Sequence, residues 1–180
     1  MTKLSRAQHF AVEVADTDRS IAWYRDVLGF KLTERHAAHE VTAIPVELTF
    51  MRLGERHHEL VLVNNPAKTY RPKPTRPEDD LDGPPMFHHM AFEVDSQADW
   101  VALGDQLKAR GDVTFVRGPV VHSWVDPRGD GSWGENEAFY ILDPDGHRIE
   151  IFCNLATIDP DGTHRNGAGV RMEGTKTAEM

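Results

Sequence analysis

The chain repeats itself. Residues 8–14 read Gln8-His9-Phe10-Ala11-Val12-Glu13-Val14, and residues 88–94 read His88-His89-Met90-Ala91-Phe92-Glu93-Val94, with His, Ala, Glu and Val in step. A second echo joins His58-Glu59-Leu60-Val61-Leu62-Val63 to Arg148-Ile149-Glu150-Ile151-Phe152-Cys153. Self-similarity at a fixed offset means two copies of one structural unit, so the folds open to this chain are duplicated ones. The repeat also puts chemistry-bearing residues at matching places. His9, His89 and Glu150 make a two-His, one-carboxylate set, which suits a non-haem Fe(II) site with positions left open for other ligands.

Local patterns outline the unit. Residues 8–14 end in apolar–polar alternation and predict a strand. Asp16 or Thr17 can cap a helix that runs to about Leu28, with Ile21, Tyr24, Val27 and Leu28 on one face, and Gly29 stops it. Strands are expected near 30–34, 44–53 and 58–64, which completes a βαβββ module. Residues 65–86 carry Pro66, Pro72, Pro74, Pro77, Pro84 and Pro85 and read as a linker. The pattern restarts at 88–94, with a helix from about Ser96 to Arg110, ended by Gly111, and strands near 113–117, 137–142 and 148–153. A Gly- and Trp-bearing loop is expected over 118–136. The expectation is an α+β protein of two βαβββ modules, 5–64 and 87–156, in one domain over 5–156. Residues 157–180 turn to Gly, Thr, Asp and Asn and are expected to form a mobile tail.

Composition narrows the partners. At 180 residues the chain can bury a sizeable core. A formal net charge of -9 argues against nucleic acid. No run approaches the length of a membrane span, and the first residues lack an apolar stretch. The single Cys153 excludes an internal disulfide and fits a reducing compartment. Together these give the expectation of a cytoplasmic protein without a membrane partner.

Strand geometry selects among the candidate residues, because side chains return to one face only at every second position. If each module curls its strands into a half-barrel, His9, His89, Glu59 and Glu150 can converge on one concavity. Glu150 stands in the apolar run Ile149-Glu150-Ile151-Phe152, where a carboxylate costs several kcal/mol unless paired or metal-bound. Taken singly, a Glu on the wet face of a sheet or a solvated His would account for each residue; the matched placement joins them. His57-His58 and His88-His89 are doublets, so one member of each should turn inward. The repeat selects His89, and His58 is read on a strand paired with the one carrying Glu150. His36, His39, His147 and His164 read as surface groups. His122 falls in the 118–136 loop, beside Pro119 and Trp124.

These residues also carry a resemblance. Asp143-Pro144-Asp145-Gly146-His147-Arg148-Ile149-Glu150-Ile151, preceded by Phe139-Tyr140, resembles the metal-ligand signature of type I extradiol ring-cleaving dioxygenases. These belong to the vicinal oxygen chelate superfamily, with glyoxalase I and the bleomycin-resistance proteins. The likeness is greatest to the catalytic domain of homoprotocatechuate 2,3-dioxygenase-like enzymes, over about residues 7–160. It implies one vicinal-oxygen-chelate-type domain around a metal site, with Fe(II) as the default ion and Mn(II) suited to the same ligands. His9, His89 and Glu150 would be the ligands, His58 an acid–base group, His122 a pocket His, Tyr140 a hydrogen-bond donor to a catecholic oxygen and Arg117 a group near the substrate. The implied partners are a small-molecule catechol and O2, and relatives often form homo-oligomers.

The chain departs from the family pattern in several places. It has one pair of modules where two-domain members have two. Val120-Val121 replaces a small Gly-Arg pair, Ala11 replaces a frequent Asn, and the insertion Ser123–Glu135 follows His122. Three readings fit the sequence: an extradiol dioxygenase; a glyoxalase- or epimerase-like lyase or isomerase with Glu59 as a fourth ligand; and a metal-free binding protein. Tyr140, His58 and His122 favour the first, because orienting a catechol and moving its protons requires such groups beside the metal.

Overall fold

The computed structural model describes residues 7–40, 43–71, 73–76, 81–82, 87–124, 126–132 and 135–172. The chain divides into two compact units: residues up to His88 together with Asp143–His147, and His89–Leu142 with the residues from Arg148 onward. Each holds one βαβββ module, the α+β architecture expected from the repeat.

The first module runs β1 (Phe10–Glu13), α1 (Thr17–Leu28), β2 (Lys31–His36), β3 (Glu47–Arg52) and β4 (Leu60–Asn64). Its sheet has the order β1-β4-β3-β2, with β1 parallel to β4 and the other pairs antiparallel. Asp16 caps α1 by accepting the Arg19 amide at 3.0 Å, and Gly29 ends it in the left-handed conformation at φ 74°. The buried side of α1 is Ser20, Trp23, Tyr24 and Val27. Trp23 thus joins the expected core face, while Ile21 and Leu28 are only half-buried. Strand alternation does the rest. Val12, Thr49, Met51, Leu60 and Leu62 are buried, while Ala11 and Glu13 on β1 are exposed.

The second module runs β5 (Met90–Glu93), α2 (Gln97–Lys108), β6 (Thr114–His122), β7 (Asn136–Leu142) and β8 (Arg148–Cys153), with sheet order β5-β8-β7-β6 and β5 parallel to β8. Ser96 caps α2. Trp100 packs on Phe139 and donates its indole N–H to the Ile151 carbonyl at 2.8 Å. Gly104 lets the helix close on the sheet, since a Cβ there would meet Phe139 at 3.3 Å.

Two stretches differ from the sequence reading. Residues 118–122 are not loop: β6 continues to His122, with its ladder to β7 interrupted between Phe115 and Arg117 and again between Arg117 and Val120. Gly118-Pro119 looks like a turn in sequence, but β6 is an edge strand, where Pro and an irregular ladder are tolerated. Gly118 has φ +95°, and a Cβ there would meet the Ala138 carbonyl oxygen at 2.8 Å. Residues 157–172 also carry structure. β9 (Thr157–Ile158) and β10 (His164–Arg165) form a hairpin, and Met172 is buried. The Asp159-Pro160-Asp161-Gly162 turn explains this: Gly162 donates to the Asp159 carbonyl and Thr163 to the Asp161 carboxylate. Low apolar content hid that turn chemistry.

The Asp143–His147 turn belongs to the first unit and is held by a dense set of hydrogen bonds. The Asp143 carboxylate is fully buried and accepts the Tyr24 hydroxyl at 2.8 Å, the His147 amide at 2.7 Å and the Asp145 amide at 3.0 Å, and it faces the His147 ring at 2.7 Å. His147, expected at the surface, is therefore buried. Asp145 accepts from the Ala15 amide, Ser20 and Arg19 at the start of α1. Removing a buried acceptor strands every donor that faced it. Asp143→Ala is expected to cost about 3 kcal/mol of unfolding free energy and Tyr24→Phe about 1 kcal/mol, read by urea denaturation. Equal, small effects in both variants would contradict this assignment.

Candidate functional site

In the first module the candidate residues cluster at the strand starts. His9 precedes β1 and His58 precedes β4, and the two rings lie 4.7 Å apart. Gln8 joins them: its side-chain oxygen bonds His9 Nδ1 and its amide donates to the His58 carbonyl. With His9 Nδ1 engaged, Nε2 is the nitrogen left to act as a ligand. Burial, then the neighbouring imidazoles of His9 and His57, hold His58 below the ordinary His range, so it is neutral at pH 7 and able to accept a proton. The doublet does not obey strand alternation, because both members stand before β4 begins. His57 and His58 are in contact, Nδ1 to Nδ1 at 2.9 Å, and both rings lie against Phe50. His57 Nε2 turns to Glu34 at 3.2 Å. β4 pairs with β1 and β3, and β8 pairs with β5 and β7, which corrects the expected pairing of the His58 and Glu150 strands.

In the second module four candidates form one connected run. His89 Nε2 lies 3.0 Å from the buried Glu150 carboxylate. The His89 ring stands edge-on to Tyr140 at 5.8 Å, and the Tyr140 hydroxyl lies 2.9 Å from His122 Nε2. Asn136 donates to Glu150 at 3.1 Å while its own amide oxygen is buried without a partner. Burial alone would raise the Glu150 carboxyl, but hydrogen bonds from His89 and Asn136 outweigh it and keep the group below its usual range, ionised. Burial first, then the Glu150 charge, push the Tyr140 phenol up to about 12, so its hydroxyl keeps its proton at neutral pH. Arg117 pairs with Asp130 at 2.7 Å.

The ladders show which positions of the two copies correspond. Ala11 stands opposite Val61, and Phe50 opposite Val61 on the other side; Ala91 stands opposite Glu150, and Tyr140 opposite Glu150. The counterpart of Glu150 is therefore Val61, whereas the sequence echo aligns it with Leu60. That one-residue slip decides the face, since neighbouring strand positions point to opposite sides of the sheet; both residues are buried. Glu59 falls one pleat away, and its carboxylate accepts the Leu53 amide at 2.9 Å. Phe87 lies 6.1 Å from Phe10, Trp124 is exposed, and Trp133 lies outside the described residues. Gln8, Asn136 and Asp130 were not singled out by sequence; Gln8 alone had a signal, its adjacency to His9.

Among the described residues no three His, Cys, Asp or Glu side chains are gathered as a metal-binding group. The His89 imidazole nitrogen and the buried, ionised Glu150 carboxylate 3.0 Å from it are the kinds of donor a divalent first-row cation takes.

The chain belongs to the Glyoxalase/Bleomycin resistance protein/Dioxygenase superfamily, whose family model matches residues 6–151. It is 26% identical over 151 residues to a biphenyl-2,3-diol 1,2-dioxygenase of Metapseudomonas furukawaii, covering 84% of this chain and 41% of that protein. It is 30% identical over 154 residues to a probable lactoylglutathione lyase of Vibrio parahaemolyticus, covering 83% of this chain and 91% of that one. The chain thus spans about two-fifths of the dioxygenase and nearly all of the lyase. Among solved structures it resembles a glyoxylase/bleomycin resistance protein/dioxygenase domain from Frankia sp. EAN1pec, with TM-score 0.59 and 20% identity over 84% of this chain and 98% of that one. This likeness concerns the fold. No helix among the described residues is long and apolar enough to cross a membrane.

Asp130 offers a test of the site's electrostatics. Hydrogen bonds from Ser132, then the nearby His122, lower its carboxyl to about 2. A carboxyl depressed on folding stabilises fully above its unfolded value near 4 and loses that contribution as pH falls through the folded one. Stability measured by denaturation from pH 4 to pH 2 should therefore fall less steeply in Asp130→Asn than in the parent. Parallel curves would contradict the assignment.

Proposed function

We propose that the protein is an extradiol dioxygenase that opens a catecholic ring with O2 at a non-haem Fe(II) centre, with Mn(II) as the alternative ion. The observation that carries this reading is the run of contacts from His122 through Tyr140 to Glu150 and His89. An enzyme that binds a catechol needs a proton-holding hydroxyl and an imidazole beside its metal ligands, and this run supplies both. The ligands proposed are His9, His89 and Glu150. The reading takes Glu59 out of the ligand set, because its carboxylate is committed to the Leu53 amide and the counterpart of Glu150 in the first module is apolar.

A metal so held would make a bound catechol more acidic and keep a position open for dioxygen. The remaining work falls to side chains. His58, neutral at pH 7, takes the second catechol proton at Nε2, the nitrogen turned away from His57, and can return it later. Tyr140 keeps its proton and, once a catechol is bound, turns it from His122 Nε2 to a ring oxygen, which fixes the ring's orientation. His122 Nε2 lies at the same hydroxyl and completes the polar edge of the pocket. Arg117 does not reach out to a substrate carboxylate in this reading, since its guanidinium is held by Asp130.

A second reading has one observation in its favour: the 30% identity to a probable lactoylglutathione lyase along 91% of that protein's length. The two readings separate in one assay. Loaded anaerobically with Fe(II), the protein should consume O2 with catechol or biphenyl-2,3-diol and form no lactoylglutathione from methylglyoxal and glutathione. Lactoylglutathione formation with no O2 uptake would overturn the dioxygenase reading.

His58→Phe is expected to retain metal and bind catechol, yet turn over ~10²–10⁴-fold more slowly, the usual contribution of a positioned acid–base group. His57→Phe should be milder, because its outer nitrogen faces Glu34. Stopped-flow kinetics decide it. Unchanged turnover in His58→Phe, or greater damage in His57→Phe, would contradict the role given to His58.

A further inference from the structure

The segment after His122 is an insertion relative to the family pattern, and it folds back onto β6. Asp130 donates its amide to the Val121 carbonyl at 2.9 Å and Gly131 donates to the Ser123 carbonyl at 3.1 Å. Gly129 lies so close to this strand end that a Cβ would meet the Ser123 carbonyl oxygen at 2.2 Å. The Glu135 carboxylate accepts from Ser123 Oγ at 2.7 Å and the Trp124 amide at 2.8 Å. These contacts bring the Asp130 carboxylate to His122, on the side of the ring away from Tyr140: Nδ1 lies 2.9 Å from Asp130 Oδ2 and 3.0 Å from Ser132 Oγ, and Nε2 lies 2.9 Å from the Tyr140 hydroxyl.

We propose that Asp130 is a positioning residue that holds His122 in the tautomer with its proton on Nδ1, so that Nε2 is presented as a bare acceptor at the Tyr140 hydroxyl. The assignment rests on the reading of His122 and Tyr140 as pocket groups and adds to it a residue supplied by the insertion.

The donors and acceptors around Nδ1 place a proton on that nitrogen. An ionised carboxylate can only accept. Asp130 accepts from the Arg117 guanidinium at 2.7 Å and the Ser132 amide at 3.0 Å. The nitrogen facing it must therefore carry a proton. Ser132 donates its hydroxyl to Asp130 and accepts from the same Nδ1–H, so it follows the tautomer and does not choose it. A neutral imidazole protonated on Nδ1 has its lone pair on Nε2, which faces the Tyr140 hydroxyl, a group that also lies at the Glu150 carboxylate. His122 is buried, its side chain 9% exposed, so water does not compete for either nitrogen. Arg117 holds the carboxylate in place, which gives that residue a part at one remove from the substrate.

The test uses the full chain with ¹⁵N-labelled histidine, free of metal, at pH 8. Long-range ¹H–¹⁵N spectra report which ring nitrogen carries the proton. In the parent, His122 should show the Nδ1–H form, and Ser132→Ala should leave it so. In Asp130→Asn the side-chain oxygen is drawn to Arg117 and the Ser132 amide. The new NH₂ then faces Nδ1 and forces the proton to Nε2, as the same change does in Ser-His-Asp hydrolases. Asp130→Ala, which removes both donor and acceptor, should lose the single tautomer. With Fe(II) loaded and catechol as substrate, Asp130→Asn should lower kcat by ~10–100-fold, the usual effect of removing an orienting partner, with KM and metal content little changed. An Nε2–H ring in the parent, or an unchanged tautomer in both Asp130 variants, overturns the proposal. So does a switched tautomer with parental kcat. A parent that consumes no O2 overturns the dioxygenase reading instead, and the spectra still decide the tautomer.

Discussion

A charged carboxylate buried on β8 is the constraint around which the second module is arranged. Taking Glu150 out of water costs several kcal/mol unless its oxygens are occupied. His89 and Asn136 occupy them, and Tyr140 stands directly across the ladder. The arrangement is not optimised for stability. Asn136 spends its amide on Glu150 and leaves its own oxygen buried without a partner, a penalty of about 1–3 kcal/mol. Polar groups held at such a cost make this face the candidate site.

The two copies share a strand order and differ in the side chains at matching positions. The same cross-strand position is Phe50 opposite Val61 in the first module and Tyr140 opposite Glu150 in the second. The first module retains the His before β1 and adds His58, tied to it through Gln8. The second carries the carboxylate, the phenol and a second imidazole. In the second module α2 and the core residues Phe139 and Ile151 share one face of the sheet, and Tyr140 and Glu150, one position on, point to the other.

Much of this was legible in the sequence because it depends on period and punctuation. The repeat gave two βαβββ modules, Asp16 and Gly29 bracketed α1 as their capping chemistry requires, and His89 and Glu150 came out as neighbours. What was not legible depends on register and on side chains far apart in the chain. The copies slip by one residue, so the echo aligned Glu150 with Leu60 in place of Val61. His57 and His58 precede their strand, so alternation could not sort them. His147 looked like a surface residue because its partners, Asp143 and through it Tyr24, meet it only in the folded chain. Gly118-Pro119 imitated a turn inside an edge strand, and the insertion that supplies Asp130 had no periodic pattern to read.

The ligand set proposed for the cation is His9, His89 and Glu150, without Glu59. Fe(II) binding isotherms, measured anaerobically on the parent and four alanine variants, test it most directly. The account predicts about one ion per chain in the parent, loss of binding in His9→Ala, His89→Ala and Glu150→Ala, and near-parental affinity in Glu59→Ala. Full occupancy in His89→Ala, or a fall of ~10-fold or more in the affinity of Glu59→Ala, would contradict it.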